Sequence, residues 1–124
     1  MFIANQDDFI LKHRINLGDV FNQEKEEDVF VVLKEPKSLD FIRLNDTISN
    51  AGKEDGTKLF EKIVELLPKV IVEHNLYKDE KNILNNEEVV DFISCKTEAL
   101  TKLVNEYSEK VLFLLIGDKK KLKK

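Results

Sequence analysis

The sequence contains a single cysteine, Cys95, among its 124 residues. One cysteine excludes an internal disulfide and a cysteine-rich metal site, and a lone thiol fits a reducing compartment. The longest uninterrupted apolar run has six residues, Val111 to Ile116. A membrane-spanning helix needs about 20 such residues. The first residues also lack the basic and long apolar stretches of a signal peptide, so we expect a cytoplasmic protein.

Signals of catalysis or of metal binding are also scarce. None of the four glycines belongs to a dinucleotide-binding or phosphate-binding loop motif. The two histidines, His13 and His74, lie far apart, and no cysteine–histidine spacing surrounds Cys95. The acidic run from Glu24 to Asp28 lacks the glycine and the ligand register of a calcium-binding loop. We therefore predict no catalytic residues, no cofactor and no metal site.

The charges of this chain mostly oppose each other. Charged residues make up 35% of the sequence, yet the formal net charge is only −4. Balanced charge favours a solvated folded surface over disorder, and it argues against nucleic acid as a partner. The apolar share of 42% supports one core, and the length supports one domain. We expect that domain to span residues 1–117, followed by a basic flexible tail at 118–124.

Two segments near the N-terminus have strand patterns. Apolar and polar residues mostly alternate from Phe9 to Leu17, and Val29 to Leu33 is a β-branched and aromatic run. The two segments predict an antiparallel hairpin with an acidic connection. A lone hairpin is marginal in water, so helices must cover it or a second copy must extend it. The predicted fold class is α+β, mainly helical with an N-terminal β-hairpin, with an all-α fold as the alternative.

The middle of the chain has helical spacing of apolar residues. Phe41, Leu44 and Ile48 fall on one face of a first helix. A stronger stripe runs from Leu59 to Ile71 and contains Pro68. Because the stripe continues past this proline, we expect a kinked helix rather than two separate elements.

Two further helices are predicted before the C-terminal run. Asn85 or Asn86 is expected to cap a short helix that ends near Ile93. Thr97 is expected to cap the last helix, and Gly117 to end it.

The C-terminal apolar run leaves three interpretations open. Residues 111–116 are apolar on every side, and a lysine-rich stretch follows them. The run could pack on the core, it could bind a partner or a second copy, or it could lie on an acidic membrane. A run of this kind is hard to bury completely in a domain this small, so binding of a partner or a second copy stands close behind packing on the core, and a membrane surface is the least favoured of the three.

The order of several phrases along the chain is familiar. The phrases are VFVVLKEP, LFEKIVELLPKVIVEHN, NNEEVVDFI and ALTKLVNEY. In order and spacing the chain resembles the small tail assembly chaperones that long-tailed bacteriophages and prophages encode just upstream of the tape measure gene. The similarity covers roughly Val29 to Tyr107, and its best points are LKEP, EEVVDFI and LTKLVNEY.

This resemblance implies a function that requires no catalysis. Such chaperones coat the long, helical, apolar tape measure protein, keep it soluble, and give way as tail tube subunits polymerise around it. The task needs exposed apolar surface, reversible binding and self-association. The expected partners are thus the tape measure protein and further copies of this chain, with no nucleic acid and no membrane. A cytoplasmic adaptor or regulatory module that binds a partner helix is the main alternative, and a small enzyme is the third.

Two sets of residues are the candidates for partner binding. The wholly apolar LFLLI is not expected of every family member, so the sequence leaves open which set binds. The candidates are Val111, Leu112, Phe113, Leu114, Leu115 and Ile116 in the C-terminal run, and Phe41, Leu44 and Ile48 in the first helix.

Overall fold

The computed structural model describes residues 1–50 and 57–115. These ranges form an α+β fold, mainly helical, as the sequence predicted. The elements are β1 (Lys12–Asn16), β2 (Phe30–Lys34), α1 (Ser38–Asn50), α2 (Thr57–Val70), β3 (Ile71–His74), α3 (Asn86–Ser94) and α4 (Thr97–Tyr107), which continues into a π-helical turn (Ser108–Leu112).

The predicted hairpin is the first part of a three-stranded antiparallel sheet with strand order β1-β2-β3. In β1 and β2, Ile15 pairs with Val31, and both side chains are fully buried. Their strand neighbours alternate toward solvent, as the period-two pattern predicted. One face of the sheet therefore carries the helices, which supply the cover that two strands lack on their own.

The prediction of a single kinked helix through Pro68 is wrong. Helix α2 ends at Val70, and the next residue begins β3, where Ile71 pairs with Leu33. The Asn86 side chain secures this junction, because its Nδ2 donates to the carbonyl oxygens of Pro68 and Ile71, each at 3.0 Å. The apolar stripe continues past the proline because the first residue of β3 is buried in the same core.

Of the two N-caps predicted in the C-terminal half of the chain, the one of α3 is confirmed and the one of α4 is wrong. Asn85 caps α3 as expected: its Oδ1 accepts from the Glu88 amide at 2.8 Å, and the Glu88 carboxylate accepts from the Asn85 amide at 3.1 Å. Thr97 does not cap α4, because it is already the first helical residue and Lys96 occupies the cap position. Gly117 lies outside the described residues.

The core lies between the sheet and the helices. Its buried members point inward from every strand and helix, and they include Ile15, Leu17, Val31, Leu33, Leu44, Ile63, Leu67, Ile71, Val89, Ile93, Leu103, Tyr107, Val111 and Leu112. Tyr107 is the largest fully buried side chain, and its hydroxyl donates to the Lys34 carbonyl oxygen at 3.0 Å. This bond ties α4 to the end of β2. Among helices of the described ranges, none has the length and apolar character needed to cross a membrane.

We expect Tyr107 to make the protein lose stability in alkali. Burial raises the pKa of its phenol, and the Glu35 carboxylate raises it further. Above pH about 10 the unfolded chain releases this proton and the folded chain keeps it, so the free energy of unfolding falls by up to about 1.4 kcal/mol per pH unit.

Tyr107→Phe is expected to remove this decrease of the free energy of unfolding with pH. At neutral pH the lost hydrogen bond is expected to lower the free energy of unfolding by about 1 kcal/mol. Urea titrations between neutral and alkaline pH measure both effects. Tyr77→Phe is the matched control, because Tyr77 is exposed and should leave the slope unchanged. An equal alkaline slope in Tyr107→Phe and in the wild type would contradict this assignment.

Candidate partner-binding surfaces

The residues with side chains suited to catalysis or metal binding, His13, His74 and Cys95, lie on or beside different elements of the structure. His13 Nε2 is 3.7 Å from Glu106 Oε1, and both side chains are half-buried between β1 and α4. His74 lies on β3, where its Nδ1 accepts from the Leu76 amide at 3.1 Å. Cys95 is exposed after the end of α3. In residues 1–50 and 57–115, no three His, Cys, Asp or Glu side chains are grouped so that they could hold a metal ion.

The C-terminal apolar run is divided between the core and the surface. Val111 and Leu112 are fully buried, and Leu115 packs partly against the core. Phe113 and Leu114 remain 52% and 51% exposed. A partner could reach the two buried side chains only if this helical segment moved away from the core, so Phe113 and Leu114 are the accessible part of the predicted set.

The π-helical turn explains this division. It holds one more residue per turn than an α-helix, so it rotates the side chains that follow relative to the buried stripe. Two successive residues at its end, Val111 and Leu112, therefore both face the core, and the next two face outward. The Ser108 hydroxyl donates to the Val104 carbonyl oxygen at 2.8 Å at the start of this turn. The remaining residue of the predicted set, Ile116, lies outside the described residues.

The predicted face of α1 points inward. Leu44 is buried and Phe41 packs partly against the core, because this stripe joins α1 to the rest of the fold. The side chain of Ile48 is not among those the structure describes. Among the side chains of α1 that the structure describes, the large apolar ones that are exposed are Leu39 and Ile42, at 68% and 50%. The sequence pattern thus identified the packing face of α1 rather than an open surface.

A groove lies beside Phe113, between the first half of α2 and the C-terminal helical segment. Its volume is about 240 Å³. Apolar side chains from both walls line it, and three polar residues of the C-terminal wall complete it. We call it the C-terminal groove, and its lining residues are Leu59, Phe60, Ile63, Val104, Asn105, Ser108, Glu109 and Phe113.

A second and larger concave surface lies at the opposite end of α4, and the sequence did not predict it. The Phe21 and Phe92 rings stack with their centroids 5.2 Å apart, and Tyr77 is exposed beside them. The volume is about 360 Å³. We call this surface the aromatic cleft, and its lining residues are Phe21, Gln23, Val29, Asn75, Leu76, Tyr77, Leu84 and Phe92.

Two lysines fix the turn that carries Phe21. Lys96 donates from its Nζ to the Val20 carbonyl oxygen, and the same ammonium lies 5.9 Å from the centroid of the Phe21 ring. Lys102 Nζ is 3.0 Å from Asp19 Oδ1, and this hydrogen bond lowers the pKa of the Asp19 carboxyl. The turn after β1 is therefore attached to the first two turns of α4.

Phe92 is the one residue of this cleft whose position in the sequence pattern could have indicated a surface contact. In α3 it lies at the edge of the stripe formed by Val89, Val90 and Ile93, and it is 46% exposed. An aromatic residue at a stripe edge is a candidate for surface contact. Its stacking partner lies 71 positions earlier in the chain, and no local pattern shows that pairing.

A third concave surface of about 400 Å³ lies between α1 and α2, and most of its lining side chains are polar or charged. Comparison of the chain with protein-family models, with curated proteins and with solved structures finds no match in any of the three.

Proposed function

We propose that this protein is a phage or prophage tail assembly chaperone, that it works in the host cytoplasm without enzymatic activity, and that it binds the tape measure protein. The observation that carries this proposal is that Phe113 is half-exposed at an apolar groove and is followed directly by a second half-exposed apolar side chain, Leu114. Large apolar side chains exposed together beside a concave surface are typical of protein-binding sites. The resemblance to the tail chaperones supplies the class of partner.

The C-terminal groove suits an apolar helix. Two helical walls with an apolar floor form the kind of groove that accepts the apolar face of an amphipathic helix. Ile63 and Val104 are buried in the floor, and Phe113 stands at the margin. Asn105 and Glu109 are exposed polar residues of one wall, and they supply the polar rim that such interfaces have.

The expected strength of this contact fits reversible binding. Completing the burial of Phe113 and Leu114 contributes about 1 kcal/mol for each side chain. The partner's own apolar side chains and the groove floor add to this, and the cost of association subtracts from it. A single groove of this size therefore supports weak binding, and several copies along a long helical partner would be needed to keep it in solution.

The same groove allows the alternative function. A cytoplasmic adaptor or regulatory module would also bind an apolar partner helix there, because the groove selects for apolar helical character and not for one protein. The two functions differ in the partner that the gene neighbourhood supplies. A neighbouring gene for a very long helical protein favours the chaperone, and its absence favours the adaptor.

The proposed function requires a gene for a long helical protein next to that of this chain, and co-expression of the two proteins tests it. We expect the long protein to be mostly insoluble when expressed alone and to move to the supernatant when this chain is present. Co-purification on a tag carried by either protein measures the complex directly. A long protein that stays insoluble and unbound at matched expression levels would contradict the chaperone function.

A further inference from the structure

The aromatic cleft lies between two strongly acidic elements. The first is the connection at residues 22–28, which carries Glu24, Glu26, Glu27 and Asp28, all of them exposed. The cleft residues Gln23 and Val29 belong to or directly follow that connection. The second element is α3, whose acidic residues are Glu87, Glu88 and Asp91.

These two elements hold seven acidic residues and one lysine, Lys25. Their combined formal charge is thus −6, and Lys96, whose ammonium lies 5.9 Å from the centroid of the Phe21 ring, brings the surroundings of the cleft to −5. The whole chain has a formal charge of −4. An exposed aromatic surface with an acidic border favours a ligand that combines an apolar side chain with several cations.

One segment of this chain has that chemistry. Residues 119–124 have the sequence KKKLKK, in which five lysines surround Leu122. A leucine between lysines can place its side chain against Phe21 and Phe92 while the ammonium groups approach the acidic border. In the described ranges, no stretch of six residues contains as many lysines. The positive charge of this segment is therefore complementary to the negative charge of the two elements beside the aromatic cleft.

The course of α4 decides which copy supplies the segment. Lys96, directly before α4, contacts the turn of Phe21 at the aromatic cleft. From Thr97 the chain stays helical to Leu115, so these two residues lie about 27 Å apart at 1.5 Å per residue. Residues 116–124 span about 30 Å at most when fully extended. Reaching the cleft of the same chain would need nearly complete extension along the whole helix, whereas the cleft of a neighbouring copy imposes no such limit.

We propose that the lysine-rich segment 119–124 of one copy binds the aromatic cleft of a second copy. The contact is head to tail, because the two surfaces that meet are different. Contacts of this kind add further copies in a row or close into a ring. The C-terminal groove takes no part in this contact, so the inference goes beyond the proposed function and does not depend on it.

Sedimentation velocity of the full chain over a range of concentrations tests this contact. We expect association that grows with concentration and weakens strongly between 0.1 M and 1 M salt, because screening shortens the Debye length from about 10 Å to about 3 Å. Changing Lys119, Lys120, Lys121, Lys123 and Lys124 to serine should weaken association at least about tenfold. Phe92→Ala should weaken it by about the same factor, since it removes half of the stacked pair.

A mixing experiment separates this contact from other modes of association. The five-serine variant keeps its cleft, and Phe92→Ala keeps its lysines. An equimolar mixture should therefore form heterodimers with one intact contact, and it should not form longer assemblies. Ile42→Ala is the matched control, because Ile42 is exposed to a similar degree on α1 and should associate like the wild type. Circular dichroism verifies that each variant is folded.

Four results would overturn the proposed contact. The first two are a wild-type chain that stays monomeric and a variant, either the five-serine chain or Phe92→Ala, that associates as strongly as the wild type. The other two are a mixture that forms no heterodimer and an Ile42→Ala control that associates as weakly as Phe92→Ala. Both variants leave the C-terminal groove unchanged. Solubilisation of the neighbouring long protein should therefore persist in them, which keeps a failure of this inference distinct from a failure of the proposed function.

Discussion

Replacing Gly18 by alanine is expected to lower the free energy of unfolding by about 3 kcal/mol, the upper part of the range for overpacking a tight site. Gly18 is buried in the turn after β1, where a Cβ would press against the Lys25 carbonyl oxygen and lie 2.7 Å from the Glu26 carbonyl oxygen. Both neighbours are backbone atoms, so neither can rotate away. The Gly18 amide also donates to the Glu26 carbonyl oxygen at 2.8 Å, and this bond holds the turn after β1 against the segment that precedes β2.

Urea denaturation followed by circular dichroism measures this loss as a lower midpoint at an unchanged slope. Asn22→Gly is the matched control in the same turn. Asn22 has a φ of 59°, a left-handed conformation that glycine adopts readily, so this change should shift stability by no more than about 0.5 kcal/mol. A Gly18→Ala midpoint equal to that of the wild type would show that the turn can open without cost.

The β1-β2 hairpin could be predicted because its signal is local. Ile15, Val31 and Leu33 alternate with polar or half-exposed neighbours, and the acidic connection between the strands cannot be buried. Burial of one face then fixes the register, since a slip of one residue would turn the apolar side chains to solvent. The cap at Asn85 was predictable for the same reason, because a capping box lies within four consecutive residues.

Strand β3 could not be predicted because its signal is not local. Val70 and Ile71 are both buried, and in sequence they simply extend the helical stripe of α2. The strand is defined by the pairing of Ile71 with Leu33, 38 positions earlier, and by the contact of Asn86 with the junction. Local periodicity contains neither contact, so the sequence pattern alone predicts a kink at Pro68, whereas this proline lies in the last turn of α2.

The candidate binding residues were predictable as apolar positions but not as exposed ones. The spacing of Phe41 and Leu44 shows that they share a face, and most such faces pack inward. In the C-terminal run, the boundary between core and surface falls after Leu112 because of a π-helical turn. An extra residue in one helical turn has no reliable sequence signature, which is why all six residues of that run were predicted together.

Changing both Phe113 and Leu114 to aspartate is expected to weaken binding of the helical partner at least about 100-fold. The change removes about 2 kcal/mol of apolar contact and places two charges where the partner would bury them, for a total near 3 kcal/mol. Because both side chains are half-exposed in the free chain, the fold should persist. Helical circular dichroism and the urea midpoint check that it does.

Leu39→Asp with Ile42→Asp is the matched control for this change. It also replaces two exposed apolar side chains by aspartate, but on α1 and outside the C-terminal groove. Any effect of added negative charge or of reduced apolar surface in general would appear in both double variants. An effect on the partner that is specific to the groove would appear only in the variant of Phe113 and Leu114.

The most direct test of the proposed binding function compares these chains in one co-expression assay with the long helical protein that this function requires in the gene neighbourhood. The fraction of that protein in the supernatant is measured at equal levels of the three chains. We expect the wild-type chain and the α1 double variant to keep it soluble, and the folded variant of Phe113 and Leu114 to leave it in the pellet. Equal solubilisation by all three chains would contradict a function carried by apolar surface at the C-terminal groove.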